Sequence, residues 1–309
     1  MEEFNHSDPK KVFSKVGATL FLFVLILLVV QYIFSYILQM TIPNVGEKTW
    51  FVWIMTIVSL YLISFPIYLM MMKKIPDCKV QAEKKYSLKE MIMLVFVCFS
   101  ATYLFNIVSL GINALIGSLK GSPVINPLID VVLNSNIIYT IVVACIMAPI
   151  VEEIIFRKVL LNKLVGYGEK TAIIVSSLAF ALFHGNLSQF FYAFALGAIF
   201  AHITVKSGTI KNSIILHMII NLLGSAIIPN IVLKASLTLT VLVGFIIMIS
   251  IVMGIFLFVR YKNVLFPALK PQPILECEQT IKISNVLSTS GMMLFVLASI
   301  VLIIYNTFV

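Results

Sequence analysis

Adjacent carboxylates at Glu152 and Glu153 close an apolar run that begins near Ile141, and Arg157 follows one helical turn later. Phe180 and His184 form a second pair at i, i+4, and His217 and Asn221 form a third. On a helix this spacing puts both members of a pair on one face. A carboxylate can take a proton from water, and imidazole and carboxamide N–H groups can stabilise a developing oxyanion. Together they could hydrolyse an acyl bond. Each set also has an ordinary structural reading: an ion pair snorkelling at a helix end, a histidine bonded to a neighbouring helix, and an asparagine gluing helices together.

The elements that carry these residues are unlike those of a soluble enzyme. Of 309 residues, 61% are hydrophobic and 11% are charged, and mean hydropathy is +1.07. A soluble chain of this size could not bury so much apolar surface. The sequence predicts an all-α, polytopic transmembrane helix bundle of about 8–9 spanning helices. The apolar stretches run at about 17–39, 50–72, 90–117, 136–160, 171–184, 188–206, 211–228, 233–259 and 286–308. Helices are required, because lipid satisfies no backbone polar group and the runs are too long and unalternating for barrel strands. The first run lacks a small-residue cleavage site after it, so it is expected to stay in the mature chain. Within a bilayer a charge costs roughly 2.5–3.5 kcal/mol or more. The other eleven of the 13 acidic residues are placed in polar loops or at segment ends, so the Glu152–Glu153 pair needs a functional reason.

The net charge of +9 is a signal of topology. With the N-terminus in the cytoplasm, 19 of the 22 lysines and arginines fall in inside segments, Arg157 and Lys206 among them, leaving Lys48, Lys120 and Lys234 outside. The positive-inside rule then gives N-in, C-out over nine spans. Because the charge is scattered over short loops, nucleic acid is excluded as a partner. Lysine outnumbers arginine 20 to 2, the usage of an AT-rich bacterial genome, which favours a bacterial plasma membrane. The four cysteines, Cys78, Cys98, Cys145 and Cys277, form no CxxC pair and none lies in an outside loop, so neither a disulfide nor a cysteine metal site is expected.

Polar breaks at Lys73 to Lys89 and Lys262 to Asn285, the latter containing Pro267, Pro271 and Pro273, divide the chain. Residues 1–89 hold a cytoplasmic head and two peripheral spans, 90–259 a catalytic helical core, and 260–309 a cytoplasmic loop and the final span. Counting inward from the cytoplasmic helix ends at about 1.5 Å per residue puts Glu152 roughly 16 Å deep, His184 roughly 20 Å and His217 roughly 9–16 Å. They can meet at one level. The same count ends the short helix 171–184 at His184, before Gly185 and Asn186.

In order along the chain, Glu152-Glu153-Ile154-Ile155-Phe156-Arg157 fits an EExxxR motif, Phe180 to His184 an FxxxH motif and His217 to Asn221 an HxxxN motif. Over about residues 140–225 the sequence thereby resembles the CPBP intramembrane proteases, a family of CAAX prenyl endopeptidases, bacteriocin-processing and self-immunity enzymes and abortive infection proteins. The resemblance implies that Glu152 activates a water that His184 helps to hold, that His217 and Asn221 stabilise the oxyanion, and that Glu153 and Arg157 support the site. The partners it implies are a membrane-associated peptide or protein substrate and the lipid bilayer.

Two further readings stand beside it. A non-catalytic immunity or partner protein could bind a peptide in the same cavity, although it would need no base and oxyanion pair together. A proton-coupled transporter could bury Glu and His, but no inverted repeat is present. No cofactor is expected. The alternative is zinc on Glu152, His184 and His217 as a His₂Glu site; against it, there is no HExxH, and the carboxamide beside His217 is a poor zinc ligand. His202 matches no motif and reads as a packing residue, and His6 in the polar head as incidental. Reporter fusions test the topology: those after Lys85 and Lys270 should report cytoplasm and one at Val309 the exterior. A cytoplasmic signal at Val309 would mean that one of the stretches between 171 and 206 does not cross.

Overall fold

The computed structural model describes residues 8–78, 82–126, 131, 135–234, 236–270 and 281–308. His6, Lys79, Pro271, Pro273, Cys277 and Val309 lie outside them. The bundle consists of α1 (Pro9–Thr41), α2 (Phe51–Met72), α3 (Leu88–Lys120), α4 (Ile137–Tyr167), α5 (Glu169–Phe183), α6 (Leu187–Ser207), α7 (Lys211–Val232), α8 (Leu237–Leu265) and α9 (Ser290–Phe308). Each of the nine apolar stretches is thus mainly helical among the described residues. Eight of these helices are long and apolar enough to cross a membrane; α5, with 15 residues, is the short one.

Helix ends follow local chemistry. Ser87 and Glu90 form a reciprocal capping box at the start of α3. Gly185, at φ +63°, and Gly208, at φ +66°, terminate α5 and α6 in the left-handed conformation that glycine adopts without strain. Asn186 then opens α6 by accepting a hydrogen bond from the Gln189 amide at 2.9 Å. Wider π-type turns replace the α ladder at Ile57–Ser64, Thr140–Met147 and Leu222–Ile227. Each lies just before a proline, Pro66, Pro149 or Pro229. A proline cannot donate to the ladder, and its ring crowds the carbonyl four residues back; a widened turn relieves both. A fourth such stretch, Ile154–Leu160, follows the paired glutamates directly.

Two apolar clusters form the interior. One joins α1, α2, α4 and α5, the other α3, α6, α7 and α8. Glycines allow the closest helix contacts: a Cβ at Gly291 would overlap the Ser14 carbonyl oxygen, and one at Gly254 would overlap that of Phe96. Ser14 and Ser290 hydroxyls meet at 2.9 Å, while Lys120 Nζ donates to the Thr307 carbonyl at 3.1 Å and Asn306 to that of Gly185 at 2.8 Å. The starts of α1 and α9 thus share one end of the bundle, and the ends of α3, α5 and α9 share the other.

The loops at the Ser14 end are fastened to the core. Lys206 Nζ lies between Glu83 at 3.0 Å and Glu169 at 2.9 Å. Glu169 also accepts the Lys270 amide at 2.8 Å, and Lys270 Nζ meets Glu83 at 2.7 Å. Hydrogen bonds from Lys270 and Lys206 hold the Glu83 carboxyl below its ordinary range. Lys206, counted above as a loop charge, is fully buried, because two carboxylates replace its water.

Candidate active site

Two helices bring their motif residues into direct contact. Glu153 on α4 is fully buried, and its Oε1 accepts a hydrogen bond from His217 Nδ1 of α7 at 3.0 Å. Arg157 Nη1, one turn on from Glu153, is 3.4 Å from the same oxygen. Its Nη2 donates to the Gly197 carbonyl of α6 at 3.3 Å, and its guanidinium carbon lies 4.2 Å from the centre of the Phe180 ring. Gly197 keeps this contact close, since a Cβ would sit 3.1 Å from Ser177 Cα and 3.3 Å from Arg157 Nη2 and its neighbours would have to give by a few tenths of an ångström. Arg157 has no solvent exposure. The sequence reading counted it as a charge marking the cytoplasmic side; it is instead an interior cation, retained because a carboxylate, a carbonyl and an aromatic face surround it.

Glu152 points the other way, into a cavity of about 260 Å³ that His184, His217 and Asn221 also line. Its Oε2 is 3.6 Å from His217 Nε2, so the imidazole has a buried carboxylate on one side and a cavity-facing one on the other. Phe180 and Phe200 hold the ring, with centroids 5.8 and 5.2 Å from it. His184 Nδ1 lies 2.8 Å from the Phe180 carbonyl. A carbonyl only accepts, which fixes Nδ1 as the donor and leaves Nε2 with the lone pair in the neutral ring. Asn221 Nδ2 donates to the Ala144 carbonyl at 2.9 Å, leaving a second N–H on the same nitrogen. The six candidate site residues therefore belong to one constellation: Glu152, His184, His217 and Asn221 at the cavity, with Glu153 and Arg157 behind it.

Outside the motifs, Trp53, Thr56 and Tyr61 of α2 and Tyr192 of α6 also line the cavity. Helix α2 was expected to be peripheral. It is bound against α4, with the Tyr61 hydroxyl donating to the Val143 carbonyl at 3.4 Å, the Tyr68 hydroxyl to that of Ile155 at 3.1 Å, and Trp53 Nε1 to Ser135 Oγ at 3.0 Å. No spacing pattern singles these residues out from other aromatics of an apolar helix. His202 lies apart, its ring 5.4 Å from that of Phe266. Among the described residues, no group of three or more His, Cys, Asp or Glu side chains is gathered as a candidate cation site.

An all-helical membrane bundle with this buried constellation has counterparts in sequence. Residues 134–223 match the family described as Type II CAAX prenyl endopeptidase Rce1-like. Over 85 residues the chain is 35% identical to the protein named "Putative membrane peptidase YdiL" of Bacillus subtilis (strain 168), a match covering 26% of this chain and 34% of that relative. The aligned part is thus about a third of that protein's length. No solved structure matches. The matched stretch contains the EExxxR, FxxxH and HxxxN motifs, so the likeness to that family rests on the part of the chain that forms the site.

The buried charges set up a test. Arg157→Met leaves the Glu153 carboxylate opposed only by His217 and should cost about 3–5 kcal/mol, as when one partner of a buried pair is removed. Thermal unfolding in detergent should show this, and the double variant Glu153→Gln, Arg157→Met should recover much of the loss. A single variant as stable as the parent would mean that the pair carries no structural weight.

Proposed function

We propose that the chain is an intramembrane endopeptidase that hydrolyses a peptide bond in a membrane-associated peptide or protein. The observation that carries this reading is the two-sided environment of His217, with Glu153 behind at 3.0 Å and Glu152 across the cavity at 3.6 Å. Glu152 takes a proton from a water that His184 Nε2 helps to hold, and the hydroxide attacks the substrate carbonyl. His217 Nε2–H and the second N–H of Asn221 face the resulting oxyanion. For this role His217 must carry both ring protons. The proton on Glu152 then passes to the leaving amine. The seclusion of the cavity among helices strengthens each of these electrostatic interactions. A bacterial plasma membrane with the N-terminus in the cytoplasm is the location that the lysine and arginine distribution supports.

The test is cleavage of membrane-tethered and amphipathic peptides by the purified chain in liposomes, with products read by mass spectrometry. Glu152→Ala, His184→Ala and His217→Ala should abolish it while the protein remains inserted. Asn221→Ala should lower the rate by about 10²- to 10³-fold, as loss of one oxyanion donor does, and His202→Ala should leave it nearly intact. Full activity in Glu152→Ala would remove the base and favour a protein that only binds peptides.

The reading is metal-independent, because the adjacent glutamates supply a base and its support, and Asn221 suits an oxyanion better than a cation. One contact serves the zinc alternative as well: a carboxylate accepting the imidazole Nδ1–H is how ligating histidines are oriented. Elemental analysis of active, chelator-washed protein decides between them. No stoichiometric metal should be found; one zinc per chain, with activity lost on stripping and restored on addition, would make His217 a ligand.

A further inference from the structure

At the Lys120 end of the bundle, an open groove of about 560 Å³ lies between α3, the segment that follows it and the first turn of α6. Its polar groups are the carboxamides of Asn106, Asn113 and Asn126 and the hydroxyl of Ser188. Asn113 is only 7% exposed. Its Nδ2 donates to Ser188 Oγ at 2.8 Å, while its buried Oδ1 has no hydrogen-bond partner among the described residues. An acceptor buried in this way is costly to leave unpaired, and here it borders a space large enough for a ligand.

The lining selects the ligand's chemistry. Among the described residues its lining has no charged side chain, so none of them compensates a phosphate, a carboxylate or an ammonium group. Nor do the described residues offer an aromatic ring for a sugar to stack on; the walls are aliphatic, Leu110 and Val124 among them. A carboxamide presents one acceptor and paired donors, matching the C=O and N–H of a peptide unit. Asn106 and Asn113 are seven residues apart on α3, about 10.5 Å along one face, which an extended peptide covers in about three residues. Ser188 faces this groove while its neighbour Gln189 lines the catalytic cavity, so the two spaces lie on different faces of the first turn of α6.

We infer that the groove of Asn106, Asn113 and Ser188 is a binding site for an uncharged, extended peptide segment, a subsite holding the part of the substrate beyond the bond to be cleaved. This rests on the endopeptidase reading for the origin of the peptide, but binding can be measured without cleavage. The probe is a blocked, uncharged Ala/Leu/Gly hexapeptide carrying a photo-reactive leucine, used with the full chain in nanodiscs, both as the parent and as Glu152→Gln. Cross-links should map to residues 106–126 and the start of α6, and be equal in the two proteins. They should fall about tenfold when the probe's backbone nitrogens are methylated, and in Asn113→Leu, as expected for loss of one or two hydrogen bonds. Asn106→Leu, at a side chain that makes no hydrogen bond among the described residues, should give a similar fall without risk to the fold. Equal labelling by the methylated probe, labelling confined to the α2 wall of the catalytic cavity, or displacement by a glucosyl lipid but not by unlabelled peptide would overturn the inference. Groove labelling in a parent that cleaves nothing would sink the endopeptidase reading and leave the subsite standing; cleavage without groove labelling would do the reverse.

Discussion

The arrangement depends on one buried ion cluster, Glu153 with Arg157 and His217. Charges removed from water stay in a protein interior only when other groups replace the lost solvation. That requirement explains much of the core around them. Gly197 lacks a side chain so that its helix can offer Arg157 a carbonyl, and Phe180 presents its ring face to the guanidinium. Phe180 also offers the carbonyl that orients His184. One aromatic residue therefore couples the buried cation to a histidine at the cavity, which accounts for a motif beginning with Phe and ending with His one turn later.

Adjacent glutamates on an ordinary helix point about 100° apart, and this site uses that divergence. Glu153 turns inward to the cluster and Glu152 outward to the cavity, with His217 able to meet both because its two ring nitrogens lie on opposite sides of the ring. The helices that carry these residues are not regular: α4 has widened turns on both sides of the glutamates, and α7 has one immediately after Asn221. Each widened turn changes the angular relation between the residues before and after it. The prolines that accompany three of the four stretches give a local cause. Backbone irregularity is thus concentrated in α2, α4 and α7, all of which line the cavity.

Much of this was legible in the sequence. Helical spacing survives in one dimension, so each motif pair could be placed on a face, and counting depth brought the three pairs to one level. The break at Gly185 was legible because few residues besides glycine adopt a positive φ readily. Arg157 and Lys206 were misplaced for one physical reason: a count of cations near helix ends cannot distinguish a side chain reaching water from one whose hydration is replaced by carboxylates from distant segments. The share of α2 in the site was invisible as well. Trp53 and Tyr61 look like the amphipathic aromatics found in many membrane spans, and only the fold gives their N–H and O–H groups partners in the chain before and along α4.

These two classes of residue also divide the cavity by origin. All seven motif residues lie within 134–223, the part of the chain that matches the family. Trp53, Thr56 and Tyr61 lie well before it and form a facing wall. The cavity-facing motif residues are held by a cluster whose members constrain one another, because a change in any of Glu153, Arg157 or His217 leaves a buried charge unbalanced. The α2 wall carries no such constraint, since its contacts to α4 are single hydrogen bonds and apolar packing, whose loss costs far less. On the proposed reading, a site built this way can keep its chemistry while the shape of its cavity varies. Discrimination between substrates would then fall to residues that the motifs do not include, and α2, which lines the cavity from outside them, is the element best placed to supply it.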